Sequence, residues 1–214
     1  METKENIIFQ MLDDSEGLCG GSLWYYFSII YKAPNISNPY HNLRHLMYVV
    51  CQVYVGGKFM KYYELTSNRS FRALLIAAMF HDYAHSGVMG HDKDEVDRSV
   101  LEAKKYLLKS DMDLEDEVTN FIRATQFPYV ECKQNLGVDI IRDADMSQLF
   151  DDEWIQQVIL GLSLEMKITP LQMLQSQLVF IPAMTFHTKW AKESFSPLVD
   201  VRLMEVKKML ENLQ

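Results

Sequence analysis

Apolar residues recur along this chain at three- and four-residue spacing, with very little of the strict alternation that strands show. The pattern is plain in "FRALLIAAMFHDYAH" and "LEDEVTNFIRATQF", and it continues, with polar interruptions, through 138–166. Such spacing is typical of amphipathic or buried helices. Short polar loops separate the periodic segments, as they do between adjacent helices of a bundle. We therefore predict an all-α fold, a compact multi-helix domain.

Capping residues and helix-breaking residues predict where several of these helices begin and end. Four polar pairs can cap or open a first turn: Ser37–Asn38, Ser67–Asn68, Thr169–Pro170 and Ser196–Pro197. Gly56–Gly57 are predicted to end or break the helix that follows His45. Pro182 is predicted to kink or end the helix that begins near Thr169.

Composition bounds the class of protein. Of the 214 residues, 48% are apolar and 23% are charged, which is ordinary for a globular protein. We predict a single domain over 1–214, with its core at roughly 37–190. The net charge of −8 and the lack of a clustered basic face argue against a nucleic-acid partner.

The start of the chain and the cysteines suggest a compartment. The first residues lack the pattern of a signal peptide, and no apolar run approaches the roughly 20 residues that span a bilayer. The three cysteines are widely separated and fit reduced thiols. We predict a cytoplasmic protein without a membrane partner. The sequence leaves the oligomeric state open.

The candidate chemistry lies in two pairs of histidines, each four residues apart, the second with an adjacent acid: His41 and His45, and His81 and His85 with Asp82. On a helix this spacing places both imidazoles on one face, where they can converge on a metal or a phosphate. Asp145 lies in an apolar helical pattern, where an acid is costly unless it is paired or coordinated. Imidazole with carboxylate suits Zn, Mn or Fe, and a carboxylate that leans toward a second ion suits Mg or Mn.

The order of these residues resembles a known signature. His45, then His81–Asp82, then Asp145 is similar to the H…HD…D pattern of the HD superfamily of metal-dependent phosphohydrolases. Closer matches point to the class I cyclic nucleotide phosphodiesterases: "PYHNLRH" resembles P-Y-H-N-x-x-H, "HDYAHSG" resembles H-D-x-x-H-P-G, "ADMSQ" resembles A-D-L-S-N, and "SQLVFI" resembles S-Q-x-x-F-I. The matches span roughly 39–181, in a chain shorter than the usual catalytic domain of that class.

The resemblance implies a function and a set of roles. The function is hydrolysis of a purine 3′,5′-cyclic nucleotide, cAMP or cGMP, to the 5′-monophosphate by a metal-activated water. Four residues would hold two divalent ions, of Zn, Mn, Fe or Mg: His45, His81, Asp82 and Asp145. His41 would be the general acid, and His85 and Glu102 would lie near the metal-bound waters. Four residues would contact the substrate, with Gln148 and Gln177 near the base and Phe180 stacked on it: Tyr40, Gln148, Gln177 and Phe180.

The chain also departs from that pattern. Ser86 replaces the proline of H-D-x-x-H-P-G, and the histidine pair usual after Glu102 is absent. An HD-type nucleotide monophosphatase would need the same metals but not Gln177 and Phe180. A module that senses metal or nucleotide without turnover would also fit a shortened chain.

Single residues have plain structural interpretations too. Glu102 can be a solvated partner of Lys104 or Lys105, and His85 can brace the end of its helix. Gln177 can be a surface amide and Phe180 a core ring. His91 and His187 are predicted to lie in loops or at the surface.

Overall fold

The computed structural model describes residues 3–88, 92–129 and 132–213. These residues form twelve α-helices, two 3₁₀ segments and one π-helical segment, and they contain no strand. The all-α prediction is confirmed. None of the described helices combines the length and the apolar character needed to cross a bilayer.

The helices follow one another with short connections. They are α1 (Lys4–Leu18), α2 (Trp24–Ile30), α3 (Leu43–Phe59), α4 (Tyr62–Leu65), α5 (Asn68–Phe80), α6 (Asp92–Tyr106), α7 (Glu115–Ala124), α8 (Leu136–Met146), α9 (Ser163–Glu165), α10 (Pro170–Ala183), α11 (Lys189–Ser194) and α12 (Ser196–Glu211). The 3₁₀ segments are Lys109–Leu114 and Ser147–Phe150, and the π-helical segment is Ile155–Leu162. The helical pattern of 138–166 is thus divided after Met146.

Helix α5 is the centre of the fold. Every residue from Phe71 to Phe80 is buried, because α5 is surrounded by α3, α7, α8 and other helices and is apolar on nearly every face. One cluster of buried apolar side chains extends from Ile8 in α1 to Val206 in α12. The core is therefore wider than the predicted 37–190, because both terminal helices pack on it.

Two predicted helix starts are confirmed by their caps. The Ser67 hydroxyl accepts the N–H of Ser70 at the start of α5. Thr169 and Gln172 form a reciprocal capping box at the start of α10. A third helix, α12, begins at Ser196 as predicted, but no side chain caps it.

The start predicted at Ser37–Asn38 is wrong. Helix α3 begins only at Leu43, because the Asn42 side chain accepts the N–H groups of Arg44 and His45 and so caps the helix there. His41 consequently precedes the helix. This shift of the helix start determines the geometry of the site described below.

Of the predicted helix ends, one is confirmed and one is wrong. Helix α10 ends at Ala183, directly after Pro182. Helix α3 continues through Gly56 and Gly57 to Phe59. A Cβ on Gly56 would lie 2.6 Å from the Trp190 ring, so the glycines serve close packing within the helix rather than ending it.

Candidate metal centre

Three helices that pack on one another, α3, α5 and α8, bring four of the predicted ligands together. His45 lies in the first turn of α3, and Asp145 lies in the last turn of α8. His81 caps the C-terminus of α5, and Asp82 follows in the next turn. Segments 36 to 100 residues apart in the chain therefore meet at one point.

The functional atoms of these residues are close to one another. The Nε2 of His45 lies 3.1 Å from Asp82 Oδ2 and 3.3 Å from Asp145 Oδ1. The Nε2 of His81 lies 3.3 Å and 3.7 Å from the same two oxygens. The two Nε2 atoms are 3.2 Å apart. Both imidazoles are buried, whereas the two carboxylates are partly exposed and form the open side of the cluster.

Hydrogen bonds fix the state of both imidazoles. His45 Nδ1 lies 2.6 Å from Gln148 Oε1, and His81 Nδ1 lies 2.9 Å from the Ala78 carbonyl oxygen. Both partners are acceptors, so each Nδ1 carries the proton. In the neutral imidazoles each Nε2 then presents a lone pair to the other and to the carboxylates. Such an arrangement favours a cation, either a proton or a metal ion, between the acceptors.

The pKa shifts of these groups have the directions expected of a cluster that favours positive charge. Burial lowers the pKa of His45, but its hydrogen bonds to Asp145 and Asp82 and their negative charges raise it to about 10. The same balance raises the pKa of His81. Burial raises the pKa of Asp82, yet His81, His41 and His45 together hold it well below its usual range. In the absence of metal, protons occupy the place of the cation.

The donor set fits a divalent metal. His45, His81 and Asp82 each offer a ligand atom, and these atoms lie within 4.8 Å of one another. Imidazole nitrogen and carboxylate oxygen are the ligands that zinc, manganese and iron share. The hydrogen bond that each imidazole makes through Nδ1 is the orienting contact that metal-bound histidines usually have.

The four-residue spacing of the histidines does not arise from a shared helix face. His41 precedes α3, and its ring is 5.8 Å from that of His45 at an interplanar angle of 85°. Helix α5 ends at Phe80, and Ala84 adopts a φ of 63°, which turns the chain before His85. His41 and His85 do lie near the site, but the loop before α3 and the turn after α5 place them there, not a shared helix face.

His41 has a partner that the sequence did not reveal. Its Nδ1 lies 2.5 Å from Glu165 Oε2, and its Nε2 lies 3.9 Å from Asp82 Oδ2. The Glu165 side chain is fully buried, and its other oxygen accepts the N–H groups of Tyr40 and His41. Burial raises the pKa of Glu165, but the hydrogen bond and charge of His41 outweigh it and lower the pKa. The carboxylate thus orients His41 with Nε2 toward the cluster.

His85 lies against His41 rather than in the metal cluster. The two rings are stacked with centroids 3.7 Å apart. His85 Nδ1 accepts the N–H of Gly87, and burial and the charge of His41 lower its pKa. His41, His85 and Glu165 also have ligand atoms within 4.8 Å of one another. Because the Glu165 carboxylate already accepts His41 and two backbone N–H groups, and His85 contacts His41 by stacking, we interpret this trio as support for the orientation of His41 rather than as a second metal site.

Helix α6 places its acids differently from the prediction. Glu102 accepts a hydrogen bond from Lys105 at 2.5 Å, and no contact joins it to the cluster among the described residues. Glu95, two turns nearer the site, accepts both the N–H and the hydroxyl of Ser86. Ser86, which stands where the resembled motif has a proline, therefore fixes the turn after His85 through its bonds to Glu95. Glu102 lies about 10 Å farther along α6 than Glu95. No contact among the described residues therefore supports the predicted role of Glu102 near the metal-bound waters.

Asp92 is another acid that the sequence did not single out. Its carboxylate accepts the N–H of Phe127 at 2.7 Å. Burial raises the pKa of Asp92, and the negative charges of Asp82 and Asp145 add to the increase. Asp92 therefore joins the start of α6 to the loop that carries Phe127.

The predicted substrate residues divide into two groups. Gln148 was expected to face a base, but it is buried and holds His45. Tyr40 packs against both His41 and His45, with ring centroids 4.7 and 4.8 Å away. These two side chains support the histidines.

Gln177 and Phe180 lie on α10. Gln177 is 4% exposed, and its Oε1 has no hydrogen-bond partner among the described residues, while its Nε2 contacts Met173. The Phe180 ring lies 6.4 Å from that of Phe127, in a near-perpendicular arrangement. Phe180 therefore packs against the loop that Asp92 holds through the N–H of Phe127.

His187 is exposed and donates its backbone N–H to Asp143, which agrees with the predicted surface position. His91 lies outside the described residues. No protein-family model matches the sequence, and a search of curated proteins found no significant match either.

Proposed function

We propose that this protein is a metal-dependent phosphohydrolase whose substrate is a phosphodiester, the cyclic phosphate of a purine 3′,5′-cyclic nucleotide. One observation carries the proposal. The imidazoles of His45 and His81 have their Nδ1 protons engaged by neighbouring acceptors, so both Nε2 lone pairs converge with the carboxylates of Asp82 and Asp145. That donor set suits two divalent ions bridged by a carboxylate.

Divalent ions held by His45, His81, Asp82 and Asp145 would activate the attacking water and neutralise the phosphate. The protein supplies the remaining step through His41. With its Nδ1–H donated to Glu165, the protonated imidazole presents Nε2–H on the side of Asp82. That proton can pass to the departing ribose oxygen. General acid catalysis of this kind contributes about 10²- to 10⁴-fold to the rate.

The choice of a purine rests on α10 and its neighbour. Gln177 Oε1 is a buried acceptor without a donor among the described residues, and leaving such an atom unpaired costs about 1–3 kcal/mol. A ring or exocyclic N–H of a purine would satisfy it. The rings of Phe180 and Phe127 offer apolar surface for the base.

The test is a hydrolysis screen of the purified protein with Mn²⁺, Mg²⁺ or Zn²⁺. The substrates are cAMP, cGMP, 5′-AMP and bis-p-nitrophenyl phosphate. We expect hydrolysis of a cyclic nucleotide. Gln177→Ala should raise its KM about tenfold, the equivalent of one lost hydrogen bond, with little effect on bis-p-nitrophenyl phosphate. Gln175→Ala, an exposed glutamine on the same helix, is the matched control and should change neither.

Other outcomes would overturn the proposal in favour of specific rivals. Hydrolysis of 5′-AMP but of no cyclic nucleotide would indicate a nucleotide monophosphatase. Stoichiometric metal binding without turnover of any phosphoester would indicate a sensor module.

A further inference from the structure

Two asparagines, Asn35 and Asn38, connect the loop that carries His41 to the turn that carries Asp82 and His85, and a third, Asn42, bonds within the loop. We propose that Asn35 is a positioning residue, which sets the distance between His41 and the metal cluster. This inference rests on the proposed function for the role of His41. The contacts on which it depends are independent of that role.

Asn35 uses its whole amide to join the two segments. Its Nδ2 donates to the backbone carbonyl oxygens of His41, at 2.6 Å, and Asp82, at 3.0 Å. Its Oδ1 accepts the N–H of Ala84 at 3.3 Å. The residue is 3% exposed, so these bonds do not compete with solvent. One side chain therefore fixes the backbone of the general acid relative to the backbone of a metal ligand.

The asparagine contacts reach both ends of this loop. Asn38 Nδ2 donates to the carbonyl oxygen of His85 at 2.8 Å. Gly87 packs directly on Asn38: it has a φ of 70°, and a Cβ there would lie 2.8 Å from the Asn38 amide. Asn42 bonds back to the Asn38 carbonyl oxygen and caps α3. The loop thus has a defined conformation although it contains no regular helix before Leu43.

Asn35 matters for catalysis because His41 belongs to neither of the helices that carry the metal ligands His45 and His81. Its ring is held by Glu165 from one side, but its backbone is held to the Asp82 turn by Asn35. The present separation of His41 Nε2 from Asp82 Oδ2 is 3.9 Å. A misplacement of about 1 Å in a catalytic group can cost about 10²-fold in rate.

A leaving-group comparison separates positioning of the acid from a general structural effect. Asn35→Asp keeps the shape but places an oxygen against two carbonyl oxygens. We expect kcat for the cyclic nucleotide to fall about 10²-fold, because its alkoxide leaving group needs the proton from His41. Bis-p-nitrophenyl phosphate releases a stable phenolate, so its kcat should fall less than about threefold. The Mn²⁺ content should stay at the wild-type value.

Asn120 provides the matched control. Its amide also joins two segments through backbone bonds, donating to the Lys133 carbonyl oxygen and accepting the Lys133 N–H, away from the cluster. Asn120→Asp should leave both substrates unchanged. Equal losses for both substrates in Asn35→Asp, or no loss in either, would contradict the inference.

A second measurement does not depend on turnover or on folding of the aspartate variant alone. The proton between His41 Nδ1 and Glu165 should give a downfield NMR resonance in the wild type and in Asn120→Asp. In Asn35→Asp and Asn35→Ser the resonance should shift or disappear. An unchanged resonance in a folded Asn35 variant would refute the positioning role even if the wild type hydrolysed nothing, whereas a wild type inactive on every phosphoester would refute the proposed function alone.

Discussion

Two carboxylate clusters lie at opposite ends of helix α5, and they are built in opposite ways. Near its start, the fully buried Asp111 accepts Arg72 through Nε and Nη2 at 2.9 and 2.8 Å, Arg69 at 2.8 Å and the Tyr26 hydroxyl at 2.7 Å. At its end, about 13 Å away along the axis, the cationic partners of Asp82 among the described residues are imidazoles. In both clusters carboxylates lose most of their contact with water. Only at Asp111 do permanently charged guanidinium groups replace the lost water as hydrogen-bond donors.

The difference separates a structural cluster from a binding one. Guanidinium groups are always charged, so the Asp111 cluster is complete within the protein. The imidazoles of His45 and His81 keep a proton on Nδ1, and each Nε2, which faces the acids, can hold either a proton or a metal ion. A buried acid saturated by arginine stabilises the fold. A buried acid that faces imidazole lone pairs leaves a place for a cation.

The largest expected effect is on the unsaturated cluster. Asp82→Asn should lower hydrolysis about 10⁴-fold, the equivalent of about 5 kcal/mol, because it removes a metal ligand. Its unfolding free energy in EDTA should change by less than about 1 kcal/mol. The check combines steady-state kinetics, metal analysis and urea unfolding, with exposed Asp200→Asn as the control. If Asp82→Asn bound as much metal as the wild type, Asp82 would not be a metal ligand, and the contrast between the two clusters would fail.

The saturated cluster should respond in the opposite way. Asp111→Ala leaves Arg72 buried without its counter-charge, which should cost about 3–5 kcal/mol in unfolding free energy. The exposed Asp113, which also pairs with Arg69, is the matched control, and Asp113→Ala should cost less than about 1 kcal/mol. Urea unfolding measures both. If Asp111→Ala lowered the unfolding free energy by less than about 1 kcal/mol, the ion pairs between Asp111 and the arginines would not stabilise the fold.

An intermediate effect is expected at Glu165, which belongs to neither cluster but orients the acid. Glu165→Gln should lower kcat for the cyclic nucleotide about 10²-fold while leaving KM and metal content unchanged. Glu193→Gln, exposed on α11, serves as the control. Loss of metal together with activity would mean that Glu165 acts on the cluster and not through His41.

The smallest effect concerns pH. Burial raises the pKa of Asp111, but the hydrogen bonds from Arg72, Tyr26 and Arg69 outweigh it and lower the pKa. A lowered folded-state pKa stabilises the fold at pH values above the unfolded pKa of about 3.9, and this contribution is lost as the pH falls through the folded value. Wild type should therefore lose stability relative to Asp111→Asn as the pH falls below about 4. Parallel unfolding curves from pH 6 to pH 2.5 would contradict this.

Much of the fold, and the candidate metal ligands that the structure brings together, could be predicted from the sequence. Helical periodicity gave the all-α class, and Ser67 and Thr169 act over three residues, within the reach of a motif. The spacing of His41 and His45 was correct as a signal, but its interpretation as one helix face was wrong. Asn42 ends that continuity, and whether an asparagine caps a helix depends on the surrounding loop.

The supporting residues could not be found in this way, because their partners are distant in the chain. Glu165 bonds to a histidine 124 residues earlier, and its only signal was an acid in an apolar run, the same signal that identified Asp145. Asn35 bonds to Asp82, 47 residues later. Glu95 and Glu102 share a helix, and only the packing of α6 on the turn selects Glu95.

The central claim is that His45, His81, Asp82 and Asp145 bind divalent cations. Crystals grown with Mn²⁺ and measured at its absorption edge test this claim most directly. We expect anomalous density at about 2.0–2.3 Å from both Nε2 atoms and from carboxylate oxygens. Anomalous density only at other places, with the four side chains at their present separations and no ion between them, would contradict metal binding at this site.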